Sequence, residues 1–85
     1  MDRYRKKPVV INAIRLTPDN LERVEEWCGG SIKGTALPRS ERCIDIQTLE
    51  GEMRAEIGDW VIQGVAGEFY PFKHHIFDAT YDPAE

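Results

Sequence analysis

The apolar positions along the chain fall into one helical stretch and several alternating ones. Residues 8–16 (Pro-Val-Val-Ile-Asn-Ala-Ile-Arg-Leu) are apolar at both parities, Val10, Ile14 and Leu16 on one and Val9, Ile11 and Ala13 on the other. A strand of that kind is covered on both sides, which predicts a central position in a sheet. Asn12 interrupts it, and a buried amide there needs hydrogen-bond partners. Residues 18–28 switch to a period near 3.6, with Leu21, Val24 and Cys28 on one stripe, Trp27 beside them, and Glu22, Arg23, Glu25 and Glu26 outside. Thr17 suits the N-cap and Pro18 the first helical position, Leu16 and Leu21 are spaced as a hydrophobic staple, and Gly29 suits the left-handed position that ends a helix.

Beyond the helix, residues 31–37 read as a weak strand or extended connection and residues 39–42 as a polar turn. Residues 43–49 and 52–57 then alternate around Glu50-Gly51, a two-residue hairpin loop that pairs Ile46 with Ala55, Ile44 with Ile57 and Asp45 with Glu56. Gly58-Asp59 as a second turn pairs Ile57 with Trp60, and Ala66-Gly67 as a third pairs Gly64 with Phe69 and Ile62 with Pro71. With these turns Ile44, Ile46, Met53, Ala55, Ile57, Trp60, Ile62 and Phe69 share one face of a meander. The other face starts polar with Asp45, Gln47, Arg54 and Glu56, then becomes amphipathic with Val61, Gln63, Val65, Tyr70 and Phe72. A short helical turn over residues 73–77 and an edge strand over 78–81 complete the pattern. The expected fold is α+β: one domain over residues 1–85, a small antiparallel meander able to curl towards a barrel, and one helix at about 18–28 packed on it.

Composition narrows the function classes. At 85 residues a single core is only just sufficient, so dimerisation is a natural supplement. Net charge is −4, yet Arg3, Arg5, Lys6 and Lys7 gather at the start; from residue 8 onward seven basic residues face fourteen acidic ones, which argues against nucleic acid or an anionic membrane as partner. No stretch approaches the ~18 apolar residues of a membrane span, and the opening lacks the apolar core of a signal peptide, so the expected compartment is the cytoplasm. Cys28 and Cys43 read as small hydrophobic residues.

The chemistry-bearing residues do not assemble into a catalytic pattern. His74 and His75 are adjacent, so their rings diverge and no second ligand pair accompanies them; a metal site is not expected. Asp45 opposite Glu56 would be a pair of acids with split pKa values, but solvated strand-face acids are the commoner case. Ser31, Ser40 and Cys43 lack a base at a recognisable spacing, and no glycine run matches a phosphate loop. The expectation is therefore a binding module without catalysis or cofactor. Its candidate contact residues are Arg54, Val61, Val65, Tyr70, Phe72 and Lys73, on a face whose apolar patch with a polar rim calls for a cover. Sequestration of a nucleotide-like ligand by Arg54, Lys73 and Tyr70 is the alternative.

The opening Tyr4-Arg5-Lys6-Lys7-Pro8-Val9-Val10-Ile11 and the closing Gly58-Asp59-Trp60-Val61-Ile62, Gly64-Val65 and Gly67-Glu68-Phe69-Tyr70-Pro71 resemble a family of small proteins encoded by bacteriophages and prophages. Asp19-Asn20-Leu21, Cys28-Gly29-Gly30 and Thr48-Leu49-Glu50-Gly51 extend the resemblance over nearly the whole chain. It implies a product acting inside an infected or lysogenic bacterium on a host or phage protein, and it supplies no catalytic residues.

Overall fold

A computed structural model describes residues 1–4 and 9–83. The basic residues Arg5, Lys6 and Lys7, and Pro8 at the head of the expected first strand, lie outside the described residues. The elements in chain order are β1 (Asn12–Arg15), α1 (Leu21–Cys28), β2 (Ser31–Lys33), a 3₁₀ turn (Arg39–Glu41), β3 (Cys43–Thr48), β4 (Gly51–Glu56), β5 (Trp60–Gln63), β6 (Phe69–Phe72) and α2 (His74–Thr80). The fold is α+β, with two three-stranded antiparallel sheets ordered β1-β5-β6 and β2-β3-β4. Among the described residues the sheets do not close into a barrel.

The core lies where α1 and the inner faces of both sheets meet. Leu16, Leu21, Val24, Ile44, Ile46, Ala55 and Val61 have no exposed surface, Cys28 joins them, and Ile14, Trp27, Ile32, Ile57 and Phe69 pack against the cluster. Trp27 meets Phe69 edge-on with ring centroids 4.9 Å apart, so the helix indole belongs to the core. The helix starts later than expected. Asn20, not Thr17, holds the cap position, and its side chain accepts the Thr17 N–H at 2.9 Å and donates to the Arg15 carbonyl at 2.8 Å, tying the turn to the end of β1. Pro18 and Asp19 lie in that turn. Gly29 ends the helix at φ +67°, as its position predicts.

Both hairpins form, each in a register different from the expected one. In β3-β4 the loop is Leu49-Glu50, so Thr48 pairs with Gly51, Ile46 with Met53, Asp45 with Arg54 and Ile44 with Ala55. Thr48 Oγ1 clamps this turn, donating to the Gly51 carbonyl at 2.7 Å and accepting the Glu50 N–H at 3.1 Å. In β5-β6 the loop is three residues, Val65-Ala66-Gly67, closed by Gly64 N–H donating to the Glu68 carbonyl; Gln63 pairs with Phe69, Ile62 with Tyr70 and Trp60 with Phe72. The cause is common to both. Glu50-Gly51 or Ala66-Gly67 as a type I′ loop needs positive φ at Glu50 or Ala66, and among the described residues only glycines adopt it. Two ordinary residues turn the chain first, and Gly51 at +109° or Gly67 at +83° then lets the strand resume.

Gly58-Asp59 is not a hairpin turn. It carries the chain from one sheet to the other, and β5 pairs with β1 and β6 instead of β4. Leu16 N–H donates to the Asp59 carbonyl and Gly58 N–H to the Leu16 carbonyl, both at 2.8 Å, so the end of β1 holds the crossing in place. The Asp59 carboxylate, 6% exposed, accepts the Glu56 N–H at 2.8 Å and the Lys73 ammonium at 3.1 Å. Two further expectations are corrected. β1 is an edge strand, because the chain reaches the sheet's centre only with β5, and residues 78–81 form no strand, since α2 continues through Thr80.

Candidate functional site

Successive strand residues point to opposite faces, so the β5-β6 register decides which side chains share a surface. Val61, paired between Ile14 and Pro71, faces the core, whereas Trp60, Ile62, Tyr70 and Phe72 line the opposite face beside Ala13 and Arg15. Val61 is thus withdrawn from the candidate surface, and Trp60 and Ile62, expected in the main core, belong to the second face. Phe69 keeps its core place because the one-residue shift brings it opposite Gln63 on the Val61 side.

Helix α2 covers part of this second face. Phe77 stacks on Trp60 with centroids 4.2 Å apart and planes 8° from parallel, and Tyr81 lies 5.2 Å from Phe77 and 6.0 Å from Phe72. Intramolecular cover by the C-terminal segment is therefore real but incomplete. Beyond Tyr81 an open groove of about 560 Å³ runs over Ile11, Met53, Ile62, Tyr70 and Phe72, with Val9 and Val65 at its margins and the acids Glu50 and Glu68 among its lining residues. Burial, followed by the nearby Glu68 and Glu50 carboxylates, holds the Tyr70 hydroxyl above its ordinary pKa, so the phenol stays a neutral donor and acceptor. The Glu68 side chain folds back over Gly64, filling the space where a Cβ would stand.

A second pocket of about 380 Å³ shares Met53, Pro71 and Phe72 with the groove and adds Arg54, Lys73 and Ile76. Its two cations are already engaged. Arg54 donates to Asp45 at 2.9 Å, and the Arg54 guanidinium, helped more weakly by Lys33, holds the Asp45 carboxyl below its ordinary value. Lys73 lies 3.1 Å from Asp59 and 3.8 Å from Glu56, and the hydrogen bond to Asp59 holds its ammonium above its ordinary pKa.

The structure thus brings Arg54, Phe72 and Lys73 to one pocket and Val65, Tyr70 and Phe72 to the adjoining groove, and leaves Val61 out of both. Sequence patterning missed Met53, Ile62 and Ile11 as groove residues. Alternation places Met53 on the core face of its hairpin opposite Ile46, yet it is 38% exposed and lines the groove beside residues of the other sheet. The apolar parity of Ile11 with Ala13 was the available signal for the third.

Asp45 and Glu56 do not oppose one another, since Glu56 pairs with Cys43, and the expected acid pair is absent from the register. Among the described residues no three His, Cys, Asp or Glu side chains gather as a metal-binding group, and the His74 and His75 rings stand 6.0 Å apart at 87°. No helix among them is long and apolar enough to cross a membrane. Comparison with protein-family models, with curated proteins and with solved structures found no match.

Proposed function

We propose that this chain is a non-enzymatic binding module that engages a protein partner through the groove on the second face of the β1-β5-β6 sheet. The observation that carries the reading is the groove's composition: Met53, Ile62, Tyr70 and Phe72 form an apolar, aromatic floor left partly uncovered by α2 on a domain of 85 residues. Aromatic residues bury large areas at small entropic cost, which makes such a floor a site for an apolar anchor. The resemblance to phage and prophage proteins makes a host or phage protein the partner, met in the bacterial cytoplasm. The nucleotide-like ligand has less support, because Arg54 and Lys73 already answer Asp45, Asp59 and Glu56 and leave little net positive charge for a phosphate.

The test uses the purified chain as bait in host lysate beside Tyr70→Ala and Val65→Glu variants, each checked for folding. A partner held by the wild type and weakened about tenfold or more by both variants supports the groove. Equal retention by the folded variants places the contact elsewhere and overturns the reading.

A further inference from the structure

We propose that the open edge of β1 is a self-association surface, on which a second copy of this chain adds its own β1 antiparallel, so that the β1-β5-β6 sheets of the two copies become one continuous six-stranded sheet. The surface is separate from the aromatic groove, and the proposal does not depend on what the groove binds.

The backbone defines the edge. Leu16 directs both its N–H and its carbonyl at the crossing beside β5, bonding Asp59 and Gly58. By the strand period of two, Ile14 and Asn12 also point their polar groups at β5, and Ala13 and Ile11 point theirs outward. Among the described residues β1 pairs only with β5, and no hydrogen bond is made by the outward N–H or carbonyl of Ala13 or Ile11. Solvent-facing edges are ordinarily blunted by lysine, proline or a bulge. Asn12–Arg15 carries no lysine or proline and only one charged residue, Arg15 at its end, and it is led into by Val9 and Val10, 46% and 78% exposed.

Charge identifies the occupant. A groove of about 580 Å³ between β1 and the C-terminal end of α2 has Asp78 and Asp82 in its lining and, among the described residues, no basic one. Among the described residues neither acid belongs to an ion pair, and neither does Arg15 at the other end of the strand, whose guanidinium meets only a neutral acceptor, Nε donating to the Gly58 carbonyl at 3.2 Å. Antiparallel self-pairing about a two-fold axis at Ala13 sets Ala13 opposite its copy and Arg15 opposite the second copy's Ile11. Each Arg15, on the sheet face that α2 covers, is thereby brought towards the Asp78 and Asp82 of the other chain. The edge is complementary to itself in hydrogen bonds and in charge, and the small Ala13 stands at its centre.

Sedimentation equilibrium of the full chain and of Ala13→Pro tests the proposal. Proline removes only an outward N–H, which edge strands tolerate, so β1-β5 pairing is retained. The wild type is expected at twice the 9.8 kDa monomer mass and Ala13→Pro at the monomer mass. Ala13→Cys decides independently if the proline variant fails to fold. Opposed residues of a hydrogen-bonded pair lie ~5.5 Å apart, within disulfide reach, so mild oxidation is expected to lock a covalent dimer well above the wild-type background. A wild type that stays monomeric at its highest soluble concentration, a dimer that persists in folded Ala13→Pro, or a failure of Ala13→Cys to cross-link overturns it.

Discussion

The hairpins β3-β4 and β5-β6 depart from their expected registers for one reason and with opposite consequences. In both, the glycine follows the turn instead of occupying its second central position. In β3-β4 Gly51 rejoins the ladder opposite Thr48, so the pairing moves by two residues and every side chain keeps its face. In β5-β6 Gly67 stays within a three-residue loop, and the pairing moves by one. An even slip is silent for burial, whereas an odd slip exchanges the partners across the sheet. That is why Ile44, Ile46 and Ala55 are core residues as patterned, whereas Val61 passes from the candidate surface to the core and Ile62 moves to the second face, where it lies buried in the groove floor at 4% exposure.

The largest expected effect breaks this comparison at β5-β6. Val61 and Val65 look equivalent by alternation, but Val61 has no exposed surface and Val65 is 76% exposed. Val61→Asp buries an unpaired charge and is expected to cost about 3–5 kcal/mol, most of the stability of so small a domain, while Val65→Asp stays within ~0.5 kcal/mol. Urea denaturation of the two variants measures the difference. Equal tolerance would mean that the hairpin pairs in the expected register.

A smaller effect tests the turn of β3-β4. Thr48 is 7% exposed, and its hydroxyl both donates to Gly51 and accepts from Glu50. Thr48→Val keeps the shape and removes both bonds, for an expected loss of about 1–2 kcal/mol in the same denaturation assay. A Glu50-Gly51 loop leaves Thr48 no such role and predicts no loss beyond error.

The smallest effect concerns the charges that the even slip repairs. Asp45 faces Arg54, not Glu56, and its carboxyl is held below the ordinary 3.8, chiefly by Arg54. A folded-state pKa below the unfolded one contributes stability that is fully present above the unfolded value and lost as pH falls through the folded one. Asp45→Asn is therefore expected to lose this small contribution at neutral pH and to flatten the pH dependence of stability at and below about pH 3.8, so that the two proteins converge in acid. Facing Glu56, the same carboxyl would be raised, and the substitution would stabilise instead. Stability against pH for both proteins distinguishes the two signs.

The amino-acid order alone determined the elements whose causes are local. Helix α1 follows from its apolar stripe and Gly29, and β3, β4, β5 and β6 follow from alternation between glycine-bearing turns. The aromatic residues Tyr70 and Phe72 were legible as site candidates because their parity with each other does not depend on the partner strand. Tertiary structure decided the rest. The exact residue at which a glycine enters the turn sets the register, and local propensity does not separate neighbouring choices. β1 reads as central from its composition, but it is an edge: the clasp of Leu16 on Gly58 and Asp59, more than forty positions away, sets it beside β5, and among the described residues no strand pairs with its other side. Burial of Val61 and exposure of Met53 likewise depend on where two separate sheets meet around α1, and short-range patterning carries no record of a meeting between distant segments.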